Sequence, residues 1–96
     1  MRPSEVLQQH LEEVRATIAR FPVTNPRLFG SAARGEDDEQ SDLDILVDAE
    51  DSTNYFDLAR LQIALEDLLG VKIDVGIASS LRPSIADHVL REARPI

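Results

Sequence analysis

Two aspartates set two residues apart lie in the stretch Ser41-Asp42-Leu43-Asp44-Ile45-Leu46-Val47. In an extended strand, residues i and i+2 share a face and sit about 6.6 Å apart along the chain. Asp42 and Asp44 would then point one way, and Leu43 and Ile45 the other, into a core. Two carboxylates on one face of an otherwise aliphatic strand lose hydration and repel each other. A divalent cation relieves both costs, and hard oxygen donors of this kind select Mg²⁺ or a similar ion. Taken alone, Asp-x-Asp reads more simply as a strand edge with solvated acids. It is not an EF-hand, because a third acidic ligand and the central glycine are missing. A third carboxylate changes the balance. Asp74 sits in Lys72-Ile73-Asp74-Val75-Gly76, and with Ile73 and Val75 facing the core it falls on the same class of face. Three carboxylates gathered there can hold two metal ions about 3.5–4 Å apart, the arrangement used for in-line phosphoryl transfer.

Gly30-Ser31 supplies a complementary part. A strand that ends in Gly-Ser and opens a short helix offers backbone N–H groups and a hydroxyl to phosphate oxygens. Glycine permits close approach. An isolated Gly-Ser is an ordinary turn, and the segment is neither a Walker A loop nor a dinucleotide fingerprint. His10 and His88 fall at polar positions of expected helices and read as surface residues. Tyr55, opening a helix, reads as a capping or packing residue.

The elements that must hold these groups follow from the apolar spacing. Leu7, Leu11, Val14, Ile18 and Phe21 recur at helical intervals and predict one helix ended by Pro22. Thr24-Asn25-Pro26 reads as a turn and Arg27-Leu28-Phe29 as a short strand. Ala32-Ala33-Arg34-Gly35 reads as one helical turn, and Glu36 to Ser41 as a solvated loop. Leu43 to Val47 is a buried strand. Leu58, Leu61, Leu65, Leu68 and Leu69 form the face of a second long helix, widened by Phe56, Ala59 and Ile63. Residues 71–78 form a third strand. Ser84 is the expected cap of a last helix, ended by Pro95. The order is helix, strand, turn, strand, helix, strand, helix: one α/β (α+β) domain over 1–96, with an N-terminal helix in 1–22 and a core in 23–96.

The joint pattern is more specific than its parts. Phe29-Gly30-Ser31-Ala32-Ala33-Arg34-Gly35, then Ser41-Asp42-Leu43-Asp44, then Asp74, resembles the signature of the DNA polymerase β-like nucleotidyltransferase superfamily. The version here is similar to the minimal nucleotidyltransferases (MNT), small prokaryotic proteins, and Leu81-Arg82-Pro83 before a closing helix fits them too. The resemblance implies the polymerase β-like fold, a small mixed sheet packed with helices. It implies that Gly30 and Ser31 grip the triphosphate of an incoming ATP. Asp42 and Asp44 would ligate two Mg²⁺ ions. Asp74 would complete the metal site and help deprotonate the attacking hydroxyl. Arg34 matches the family's arginine and would either face the phosphates or brace the acidic loop. Members of this group commonly act as antitoxins of a helical HEPN-type RNase toxin, and some transfer AMP to a tyrosine on it.

Composition bounds the alternatives. The 96 residues are 43% apolar but only 4% aromatic, so the core rests on Leu, Ile, Val and Ala. Eighteen acidic residues against ten basic give a net charge of −8, which argues against a general binder of DNA or RNA. Nine of those acids lie between Glu36 and Asp51 with no basic residue among them. There is no cysteine for a disulfide, thiolate metal site or nucleophile, and no apolar run long enough for a membrane span. Residues 1–10 lack the apolar stretch of a leader, so a cytoplasmic protein is expected. Two other functions suit the same residues: a non-catalytic antitoxin that neutralises by covering its partner, and a small-molecule, aminoglycoside-type nucleotidyltransferase. Three intact aspartates count against the first, and the lack of room for a helical acceptor domain counts against the second.

Overall fold

The computed structural model describes residues 1–96. The apolar periodicity of the N-terminal segment is kept, but the expected single helix is divided at His10. Helix α1 spans Pro3–Gln9 and α2 spans Leu11–Ile18. The His10 N–H turns to the Leu7 carbonyl (3.1 Å), three residues back instead of four, and its φ of −118° leaves the helical region. Leu7, Val14 and Ile18 remain buried on either side of the break.

Strand β1, Val23–Phe29, includes the residues expected to turn. It pairs antiparallel with β2, Leu43–Ala49, and the register slips between Thr24 and Arg27. Pro26 has no N–H for the ladder, and Asn25 takes a φ of +51°. A bulge absorbs both residues, so the strand continues where a turn was expected. Between the two strands lie the single turn α3, Gly30–Ala33, and the acidic loop.

Helix α4, Tyr55–Leu69, starts with a reciprocal capping box. The Asn54 side chain accepts from the Asp57 N–H, and the Asp57 carboxylate accepts from the Asn54 N–H, both at 3.0 Å. It returns the chain to β3, Ile73–Ile77, which runs parallel to β2, a pairing that needs such a crossover. Leu58, Leu61, Leu65 and Leu69 are buried. Phe56 and Ile63, expected to widen that face, point to solvent with 74% and 57% exposure, because they lie on the side of the helix opposite the buried stripe. Tyr55 neither caps nor packs; it is 83% exposed.

A 3₁₀ turn at Ala78–Ser80 leads to α5, Pro83–Glu92. Pro83 takes the first helical position, where its missing N–H costs nothing, so Ser84 lies inside the helix and is not its cap. The chain then adds a strand the sequence did not suggest. In β4, Arg94–Pro95, residues 95 and 94 pair with Arg27 and Leu28 of β1. The sheet order is β3-β2-β1-β4. Leu43, Ile45, Val47 and Ile73 meet the helices on one face in the main core. The opposite face of β2 carries Asp44, the buried Leu46 and Asp48.

Candidate active site

The parallel register sets Asp44 directly opposite Asp74, and Leu43 opposite Ile73. Leu43, Ile45 and Ile73 are buried, so the two aspartates share the other face by strand alternation. Asp42 lies one residue before β2 on that face. Burial first, then the charges of Asp74 and Asp42, push the Asp44 carboxyl above the usual carboxylate range. Asp42 leans toward the Lys72 ammonium, with Oδ2 3.8 Å from Nζ. No three acidic or imidazole side chains converge on a single point. The donors are nonetheless all hard oxygens, and their crowding is of the kind a cation relieves, so they fit a divalent ion.

β1 delivers the phosphate-binding candidates to the same place. Phe29 is the register partner of Asp44, so the next residue, Gly30, meets the Asp44 carboxylate. A Cβ on Gly30 would lie 2.6 Å from Asp44 Oδ2, and its φ is +73°. The sequence suggested glycine for the approach of a ligand; the structure adds that it makes room for a carboxylate. Ser31 follows in α3.

Arg34 is engaged elsewhere. Its Nε donates to Glu36 (3.1 Å) and its Nη1 to Glu92 of α5 (3.2 Å), and these bonds raise its already high pKa. Of the two roles left open by the sequence, this geometry is the bracing one. His10 and His88 lie beside Glu13 (3.1 Å) and Glu92 (3.3 Å) and serve as surface partners.

The acidic loop is not wholly solvated. Asp37 is only 4% exposed. Its carboxylate accepts from the Ser4 N–H and hydroxyl, each at 2.9 Å, and so caps α1 from across the fold. Asp48 is bound by both terminal nitrogens of Arg27 at 3.1 Å. Sequence reasoning also missed Gln62 and Glu66, whose side chains accept from the N–H groups of Val75 (3.3 Å) and Ile73 (3.1 Å). Two acceptors one helical turn apart on an apolar helix that feeds a strand were the available signal.

Comparison with known proteins agrees with this arrangement. The profile of the nucleotidyltransferase domain family matches residues 7–96. The protein adenylyltransferase MntA of Thermococcus cleftensis is 44% identical over 87 residues, covering 91% of this chain and 85% of that protein. A solved structure provisionally described as a minimal nucleotidyltransferase is 45% identical, with a TM-score of 0.86 over 97% of this chain and 95% of the other. The fold also matches a chain of the complex of tri-AMPylated Shewanella oneidensis HEPN toxin with MNT antitoxin, at 19% identity and a TM-score of 0.64, over 96% of this chain and 70% of that one. The chain belongs to the nucleotidyltransferase domain family, and within it to the minimal members typified by the adenylyltransferase MntA.

Proposed function

We propose that this chain is a protein adenylyltransferase that moves AMP from ATP to a tyrosine hydroxyl of a HEPN-type RNase toxin, acting as its antitoxin in the cytoplasm. The observation that carries the reading is the Asp44–Asp74 register pair set against Gly30. The MntA relative is named for the same chemistry, and the fold neighbour is complexed with an AMPylated HEPN toxin. A single domain does the work, with the helices of 1–22 packed on the core of 23–96.

Asp42, Asp44 and Asp74 are the proposed holders of two Mg²⁺ ions, with Gly30 and Ser31 at the triphosphate. When bound, Mg²⁺ neutralises charge on the α-phosphate and on the leaving diphosphate. The phenolic oxygen of the acceptor forms a bond to the α-phosphorus. The bond from that phosphorus to the β-phosphate oxygen breaks, and diphosphate leaves with the electron pair. The phenolic proton passes to the Asp74 carboxylate. Arg34 keeps Glu36 and Glu92 together at the rim, and a turn toward phosphate would require it to leave both.

Intact-mass measurement of a purified HEPN-type partner, with and without this chain, ATP and Mg²⁺, tests the proposal. Addition of whole AMP units is expected, and Asp42→Ala or Asp44→Ala should abolish it. A partner of unchanged mass that is still neutralised would make the chain a binding antitoxin instead.

A further inference from the structure

Strand β3 ends the sheet, yet it carries Asp74. An edge strand has a row of backbone groups with no neighbour, which is a poor mount for a group that must be held in place. The Leu43 N–H bonds the Lys72 carbonyl, so the even-numbered residues of this segment face β2. In a parallel ladder the alternate residues face the other way, which turns the N–H groups of Ile73 and Val75 outward.

Both outward groups are taken by side chains of α4. Glu66 Oε2 accepts from Ile73 at 3.1 Å, and Gln62 Oε1 accepts from Val75 at 3.3 Å. The spacing is commensurate. Four residues of helix rise about 6 Å and two residues of strand about 6.6 Å, so one acceptor per turn matches one outward N–H per pleat. The order is reversed, Glu66 before Gln62 along the strand, because the crossover sends α4 antiparallel to β3. The two acceptors stand where an adjoining strand would and bracket Asp74 on both sides.

We infer that Gln62 and Glu66 are positioning residues for Asp74: they replace the missing neighbour of the edge strand and hold the third carboxylate opposite Asp44. The inference rests on the reading of Asp74 as a metal ligand. Replacing either acceptor by the similarly shaped Met frees one N–H and loosens the strand beside Asp74. Glu66→Gln serves as the rescue, since it removes the charge as Met does but keeps an acceptor oxygen.

The test is titration of the full chain with Mn²⁺ alone, followed by electron paramagnetic resonance, with amide exchange at Ile73 and Val75 recorded on the same variants. Loss of one hydrogen bond corresponds to about a fivefold weaker equilibrium. Gln62→Met and Glu66→Met should each weaken Mn²⁺ binding by about that factor and speed exchange at the freed amide, while Glu66→Gln stays near wild type. Folded Met variants that bind Mn²⁺ like wild type overturn the inference. So does a Glu66→Gln variant that loses as much as Glu66→Met, since charge would then be the cause. Wild type that binds no Mn²⁺ overturns the metal reading itself and this inference with it, and is recognised without any variant.

Discussion

At Gly30 the backbone turns through a φ of +73° with the Asp44 carboxylate where a side chain would begin. Gly35 shares that φ but has open space around it. The pair separates two effects of a methyl group. Left-handed backbone costs an ordinary residue about 1–2 kcal/mol, so Gly35→Ala should lower the free energy of urea unfolding by about that much and Gly30→Ala by at least as much. Only Gly30→Ala must also push Asp44 aside, and only it should lose AMP transfer. Equal activity in the two variants would remove Gly30 from the site. Asp44 itself works against the fold. It is held above the ordinary carboxylate range by burial and then by Asp74 and Asp42. In chelator near neutral pH, Asp44→Asn is therefore expected to raise the urea midpoint while abolishing transfer. A drop in stability would show that the three carboxylates do not crowd one another.

The N-terminus of α1 depends on a residue more than thirty positions away. Asp37 is buried among the Ser4 N–H, the Ser4 hydroxyl and, at 4.0 Å, the Arg2 guanidinium. Burial pushes its carboxyl up, but the bonds from Ser4 outweigh this and leave it below the usual range. The folded chain thus takes up this proton less readily than the unfolded one. The stability involved is complete above the ordinary carboxylate range and is lost as pH falls through the lowered folded value. Asp37→Asn should cost about 1–3 kcal/mol near neutrality. Its gap from wild type should close on acidification, as followed by urea midpoints across that window; a gap constant with pH would contradict the cap. The same residue explains what was legible beforehand. The face of Asp42, Asp44 and Asp74 was readable because strand alternation is local and Leu43, Ile45 and Ile73 mark the buried side. The stripe from Leu58 to Leu69 was readable for the same reason. Asp37 was not, because nothing within its own loop announces Ser4. Nor was β4, since two residues carry no periodicity, or the bulge at Asn25-Pro26, whose composition matches a turn until a neighbouring strand gives it a register.

Across the whole molecule the charge of −8 now divides by task. Asp37 is structural, Asp48 is paired with Arg27, and Asp42 and Asp44 are the proposed metal holders. With Lys72 the only ammonium beside those carboxylates, the centre should repel a triphosphate unless a divalent cation accompanies it. ATP affinity measured by calorimetry should fall at least about tenfold in chelator, and equal affinities would count against the site. The two borders of the sheet are closed in different ways. On one side, amide and carboxylate groups of α4 stand beside β3. On the other, Arg94 and Pro95 pair with β1, and the Ile96 N–H reaches the Pro26 carbonyl at 3.0 Å. The first border is closed by the helix that already connects β2 to β3, whereas the β1 border depends on the distant segment at 94–96. A chain that has not docked that segment therefore keeps an open ladder along β1, the feature that templates pairing with another strand.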